Sequence, residues 1–243
     1  MQLTQDGAAF YERCKQLLHE VDDLGAMFQG DGVGLQGRLR VDMPVGVATK
    51  SILPRLPEFL AAHPRLTFEI SSTDRKVDPV EEGFDCVIRV GSVGDPSLIA
   101  RHIGEFALMN CVSAGYARAR GIPRSVEELR SHDLVHYVNV LGVKSAGFEC
   151  VDPAGEPVFI PMRGPVTVNN SEAYVAACLA GLGIIQAPAA PPRPLVDSGA
   201  LVGVLPDARP RPMPISIVYA SRRQQSRRVR AFIEWVARTV APP

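Results

Sequence analysis

The chain has 243 residues, 46% hydrophobic and 21% charged, a composition that excludes wholesale disorder, collagen-like repeats and mucin-like stalks. Its length suits one large domain or two modest ones. Lys plus Arg equals Asp plus Glu at 26 each, which argues against a molecule whose whole surface grips nucleic acid or anionic lipid.

The N-terminus has neither a basic n-region nor an apolar h-region, so no export is expected and the reading is cytoplasmic. Residues 1–30 read as a helix: Leu3, Phe10, Cys14, Leu17, Val21, Leu24 and Phe28, with Gly7 in the one gap, keep a heptad rhythm. Thr4 can cap it, and glycines at 30, 32, 34 and 37 end it. Its stripe either lies on its own domain or pairs with another chain.

Leu39-Arg-Val-Asp-Met43 alternates as a strand and is followed by a helix carrying Ile52, Leu53, Leu56, Phe59 and Leu60. Pro54 and Pro57 predict a kink there. Leu66–Ile70, a short helix over Val77–Glu82 and a strand over Asp85–Val90 complete a β-α-β-α-β pattern, the signature of a parallel doubly wound sheet. Ala107–Ser113 runs extended; a helix is expected at Ser125–Leu129 and a strand at Leu134–Val138. Asp152-Pro-Ala-Gly155 reads as a hairpin turn between Phe148–Val151 and Pro157–Ile160. Asn169-Asn-Ser-Glu172 opens a helix over Ala173–Ala180, closed by Gly181. Ile184–Gln186, Leu195–Asp197 and Leu201–Leu205 read as strands or short turns. Ile215–Tyr219 is a last strand, and a helix from Ser226 turns Val229, Phe232, Ile233, Val236 and Val240 inward.

Chemical motifs are sparse. The five cysteines (Cys14, Cys86, Cys111, Cys150, Cys178) are widely spaced and read as reduced thiols. No nucleophile elbow, zinc-protease helix or phosphate loop occurs, so neither catalysis nor a cofactor is expected. His132 and His136 have ligand-like spacing, but the strand expected there points to no metal site. Tyr174–Pro192 is low in charge, yet its glycines and prolines make it helix, turn and strand, and no membrane contact is expected. Arg222, Arg223, Arg227, Arg228 and Arg230 read as a solvated helix face.

Several phrases, in order over nearly the whole chain, resemble the effector-binding region of LysR-type transcriptional regulators. They are Leu3-Thr-Gln-Asp-Gly7, Gly37 through Pro44, Leu53-Pro54, His63-Pro64, Asp74-Arg75 with Val77-Asp78, Glu82 through Gly91, Val168 through Ala173, Ala180 through Ile184, Gly199 through Val202, Leu205-Pro-Asp207 and Arg228 through Phe232. The resemblance implies an α/β, two-lobed, type II periplasmic-binding-protein-like fold preceded by a long linker helix over 1–30. On that pattern lobe one is about 38–112 plus 214–243 and lobe two about 113–213, with hinges near 112 and 214. The family reads DNA through an N-terminal winged helix-turn-helix, which this sequence is expected to lack, so DNA would be reached only through that part. The implied partners are a small-molecule effector and a second copy, as homodimer or homotetramer. A solute-binding protein of the same fold is the alternative.

Ligands of such folds sit where helix N-termini face the cleft. On the family pattern Pro44, Val45, Gly46 and Thr49 form the first-lobe turn, and Asn169, Asn170 and Ser171 open the facing second-lobe helix. Arg89 and Gly91 follow the third strand, and Tyr137 and Asn139 end a second-lobe strand, so all are candidate effector contacts; for Arg89 an internal ion pair is the equal alternative. Two facing N-termini suit a small organic anion.

Overall fold

Leu39, Val41 and Met43 are fully buried on the strand that organises the first half of the protein, β1 (Gln36–Met43). The computed structural model describes residues 34–93, 98–189, 192–220 and 226–240, with Thr4, Gly7, Phe10 and Cys14. The heptad seam of residues 1–30 and the arginines 222 and 223 therefore lie outside the described residues, those four positions apart.

β1 runs parallel to β2 (Arg65–Ser72), with Gln36 opposite Arg65 and Met43 opposite Ser72, and parallel to β3 (Cys86–Val90) through Val41 and Cys86. The first three strands are thus parallel as expected. Cys86, Val87 and Ile88 are all buried, as in a strand covered on both faces. Two further strands make the sheet mixed, in the order β2-β1-β3-β12-β4, where β4 is Leu98–Phe106 and β12 Met213–Ala220. β12 is antiparallel to both neighbours. β4 escaped the sequence reading because it is a largely exposed edge strand in which Arg101, His102, Gly104 and Glu105 interrupt any apolar alternation.

After β1 the chain enters α1 (Val45–Val47), which widens into a π-helical turn over Ala48–Ile52, closed by Leu53 N–H donating to Ala48 O at 2.9 Å. Pro54 has no N–H to continue the ladder, so the expected kink appears as a turn before α2 (Leu56–Ala62), with Pro57 in its first turn where no donor is missed. The helix expected over Val77–Glu82 is a turn. Asp78 Oδ1 accepts from Val80 and Glu81 N–H at 2.7 and 3.0 Å, and Gly83, at φ +68°, stops further winding.

The five-stranded sheet shares its core with α2 and the last helix, labelled α6 below (Arg227–Val240). Phe59, Phe68, Phe232 and Trp235 form an aromatic cluster with ring centroids 5.2–6.0 Å apart. Val229, Phe232, Ile233, Val236 and Val240 are buried as expected. Arg228 is buried too, which corrects the reading of the arginines as a wholly solvated face: it lies one turn before Phe232, with its guanidinium beside Gly37.

The second half is built on β5 (Leu108–Ser113), which pairs antiparallel with β10 (Ile185–Pro188) and β11 (Leu201–Gly203). Residues 108–112, placed by the sequence reading at the end of the first lobe, therefore lie in the second sheet, and Ala107 joins the two. α3 (Ala114–Arg120) follows, capped by Ser113, whose Oγ accepts from Tyr116 N–H. A 3₁₀ turn over Glu127–Ser131 replaces the helix expected at Ser125–Leu129.

The strand expected at Leu134–Val138 is reduced to β6 (His136–Tyr137), paired with β9 (Thr167–Val168), because the segment shares its N–H groups between two neighbours. Leu134, His136 and Val138 donate to Arg163, Val166 and Val168, whereas Val135 donates to Ile184 O. Gly183 permits this approach, since a Cβ there would sit 2.5 Å from Asp133 O. The hairpin β7 (Phe148–Val151) and β8 (Pro157–Ile160) forms as expected, its turn held by Asp152 Oδ1. α4 (Ser171–Leu179) is capped by Asn170, and Leu195–Asp197 belongs to a short helix, α5 (Arg193–Asp197).

Candidate functional site

The first-half turn and the second-half helix start are brought together by one carboxylate. Asp74, two residues beyond β2, accepts the Val45 N–H through Oδ1 at 3.0 Å and the Ser171 N–H through Oδ2. Each donor belongs to the first residue of a helix, where N–H groups have no partner inside the helix, so one anion satisfies both. Pro44, at φ −57° and ψ 145°, turns the chain so that its carbonyl accepts the Ala48 N–H at 2.9 Å while Val45 N–H is left for Asp74. Asn170 is extended and its Oδ1 accepts from Ala173 N–H at 2.8 Å, fixing the orientation of the Ser171 amide.

The two halves meet closely here. A Cβ on Gly46 would lie 3.7 Å from Ser171 Oγ, and that hydroxyl is buried without a hydrogen-bond partner among the described residues. Tyr137 is half-buried, with its ring edge-on to Tyr174 at 5.4 Å. Burial, and then the nearby Asp74 charge, push its hydroxyl up to about 12, so it stays a neutral donor at physiological pH.

A chain of polar contacts runs back from Asp74 into the first sheet. Thr73 N–H donates to Met43 O at 3.1 Å and Thr73 Oγ1 to Asp42 Oδ1 at 3.2 Å, while Arg89 Nη1 donates to Asp42 Oδ2 at 3.0 Å. Arg89 thus forms the internal ion pair, leaving Nη2 buried without a hydrogen-bond partner among the described residues. Arg75 is bidentate to Glu82, at 2.9 and 2.6 Å, and is engaged away from Asp74.

Of the expected site residues, Val45, Gly46, Asn170, Ser171 and Tyr137 gather around this carboxylate, and Pro44 shapes their turn. Thr49 is exposed, and its hydroxyl donates back to Val45 O at 2.9 Å. Asn139 and Asn169 are exposed and join none of these contacts. Gly91 N–H donates to Pro214 O at 2.8 Å, a junction between β3 and the returning chain. Asp74, Thr73 and Asp42 were missed as site residues. The signal was present in the parallel pairing: once Met43 stands opposite Ser72, a carboxylate two residues on must lie beside the turn after β1.

His132 Nδ1 lies 3.1 Å from Tyr116 Oη, and among the described residues no group of three or more His, Cys, Asp or Glu could hold an ion. Cys86 is fully buried, and burial pushes its thiol up, which disfavours the reactive thiolate. No helix among the described residues is long and apolar enough to cross a membrane.

Comparison with known proteins agrees with this architecture. The LysR substrate binding domain family matches residues 32–241. The chain belongs to the LysR family of transcriptional regulators. It is 44% identical over 237 residues to YhjC, an uncharacterized HTH-type transcriptional regulator of Escherichia coli K12, covering 98% of this chain and 79% of that protein. It is 32% identical to the HTH-type transcriptional repressor PA14_22550 of Pseudomonas aeruginosa, over 97% of this chain and 74% of the repressor. Among solved structures it resembles the full-length Vibrio cholerae virulence activator AphB, at 30% identity and a TM-score of 0.69, over 97% of this chain and 79% of that one. The regulatory domain of CrgA from Neisseria meningitidis, at 23% identity and a TM-score of 0.71, shares the fold over 84% of this chain and 98% of that one. This LysR chain therefore carries an effector-sensing regulatory domain of the type II periplasmic-binding-protein-like fold.

Proposed function

We propose that this LysR domain senses a small organic anion held between its two sheets, the first lobe built on β2-β1-β3-β12-β4 and the second on β10-β5-β11. The observation that carries the reading is the pair of helix N-termini converging on one carboxylate, that of Asp74. Two N–H donors and two helix dipoles, each contributing roughly 0.3–1 kcal/mol toward an anion, favour a carboxylate at that point. Val45, Gly46, Asn170, Ser171 and Tyr137 would contact the effector, with Arg89 acting from behind through its ion pair with Asp42. Closure of the lobes would be transmitted to DNA by a dimer or tetramer, in the cytoplasm, with residues 1–30 contributing to its assembly. No catalytic step belongs to this role.

A thermal-shift screen of aromatic and short aliphatic carboxylates tests the reading. A hundredfold excess over the dissociation constant should stabilise the fold by about 2.7 kcal/mol. Hits whose calorimetric affinity is the same in wild type and in Tyr137→Phe and Ser171→Pro would place the effector elsewhere.

A further inference from the structure

We propose that Asp74 is a tethered anion: its carboxylate occupies the position an effector carboxylate would take, latching the two lobes together and competing with the effector. The inference rests on the reading of this cleft as the effector site.

Three features single Asp74 out from an ordinary capping residue. Its two oxygens are divided between helices of different halves of the protein, Val45 of α1 and Ser171 of α4, so the contact joins parts of the chain 97 residues apart in sequence. It is held in place from behind, because Thr73 is fixed by Met43 O and Asp42. Its neighbour Arg75 is bound to Glu82, so among the described residues the Asp74 carboxylate takes its hydrogen bonds from helix N–H groups. The buried hydroxyl of Ser171 has no hydrogen-bond partner among the described residues and is a donor that Asp74 leaves unused. A Cβ on Gly46 would lie 3.7 Å from that hydroxyl, so the two helix starts stand close together beside the Asp74 carboxylate.

The consequence is quantitative. If the latched form outweighs the unlatched one by about ten to one, a carboxylate effector binds about tenfold more weakly than it would without Asp74. An effector must then recover the difference through contacts Asp74 cannot make, such as Ser171 Oγ, which makes the latch a filter against small generic anions.

The test compares wild type with Asp74→Ala in sodium acetate and in sodium chloride at equal ionic strength, reading thermal unfolding, the amide resonances of Val45 and Ser171, and X-ray scattering. Asp74→Ala should unfold several degrees lower in chloride, acetate should restore much of that loss, and both amides should shift with acetate in the variant but not in wild type. The scattering of Asp74→Ala should show a more open particle. Should Asp74→Ala not fold, Ser171→Pro serves: the first helical position accepts proline, the preceding Asn170 is already extended, and what is lost is the second-lobe N–H together with a hydroxyl that makes no hydrogen bond among the described residues. It should open the particle while leaving the Val45 amide paired. Equal acetate responses in wild type and Asp74→Ala, or unchanged scattering in both variants, would overturn the latch. An opened Asp74→Ala that ignores acetate would leave the latch standing and instead sink the reading of this cleft as a carboxylate site.

Discussion

Arg89 donates to Asp42 at 3.0 Å across neighbouring parallel strands, with the Asp42 side chain fully buried and that of Arg89 only 15% exposed. The pair sits at the carboxyl ends of β1 and β3, and Thr73 links it to the turn that carries Asp74. It joins the packing of the first sheet to the Asp74 contact between the two halves.

Removing one member strands the other. Arg89→Met should destabilise the domain by about 3–5 kcal/mol, because Asp42 is left charged and buried, and Asp42→Asn should cost less because it keeps an acceptor for Thr73. Urea unfolding of the two variants and of the double variant checks this. The double variant should be less damaged than the sum of the singles, and strict additivity would show that the pair is not coupled.

A second polar knot fixes the start of the second half. Gln186 Nε2 donates to Asn110 Oδ1 at 2.9 Å and to Glu149 O at 2.7 Å, while Asn110 Nδ2 reaches Leu205 O and Ala208 O at 3.1 and 2.9 Å. Asn110→Leu deprives buried groups of partners at roughly 1–3 kcal/mol each, so a loss of several kcal/mol is expected; Gln186→Glu keeps the acceptor for Glu149 N–H but turns a carboxylate oxygen toward Asn110 Oδ1 and Glu149 O, so it should cost at least as much. Chemical denaturation midpoints at constant m-value measure it.

The pH dependence of stability should carry the mark of His132. Burial, and then the Arg120 charge, lower its basicity against the opposing pull of Glu128 and Asp133. A base with a depressed folded pKa prefers to be neutral in the fold, so the unfolded chain binds the extra proton as pH falls below about 6.5, and stability drops on the acid side. His132→Phe should lose the Tyr116 contact yet unfold with a shallower decline between pH 7 and 5. An equally steep decline in the variant would assign that slope to other groups.

The elements that could be read from the sequence are those whose signal is local. The Asp152–Gly155 turn, the Asn170 cap, the break at Pro54 and the inward stripe of α6 each depend on residues within one turn of one another, and each appears where expected. Most of what failed depends on distant partners, the turn over 77–82 being the local exception set by Asp78 and Gly83. β4 has no pattern of its own and exists as a strand because β12 offers it an edge. The reach of Arg228 beneath the helix is set by the space at Gly37, nearly two hundred positions away in sequence. The cleft was half legible: the two helix starts announce themselves through Gly46 and Asn169-Asn-Ser171, while the carboxylate between them emerges only from the parallel register of β1 and β2.

The cap itself separates stability from recognition. Asn170 Oδ1 holds the Ala173 N–H at 2.8 Å, so Asn170→Leu loses a helix cap as well as any contact with effector, and should destabilise by about 1 kcal/mol. A weaker effector in that variant would therefore be ambiguous. Asn170→Ser keeps a capping oxygen and removes the amide, and should remain within a few tenths of a kcal/mol of wild type. Thr49→Val is the complementary probe, since the hydroxyl it removes is exposed and already committed to Val45 O. If effector affinity measured by calorimetry falls severalfold in Asn170→Ser but not in Thr49→Val, the second-lobe amide touches the ligand and the first lobe contributes through backbone. The opposite pattern would mean that Thr49 turns from its own helix toward the ligand.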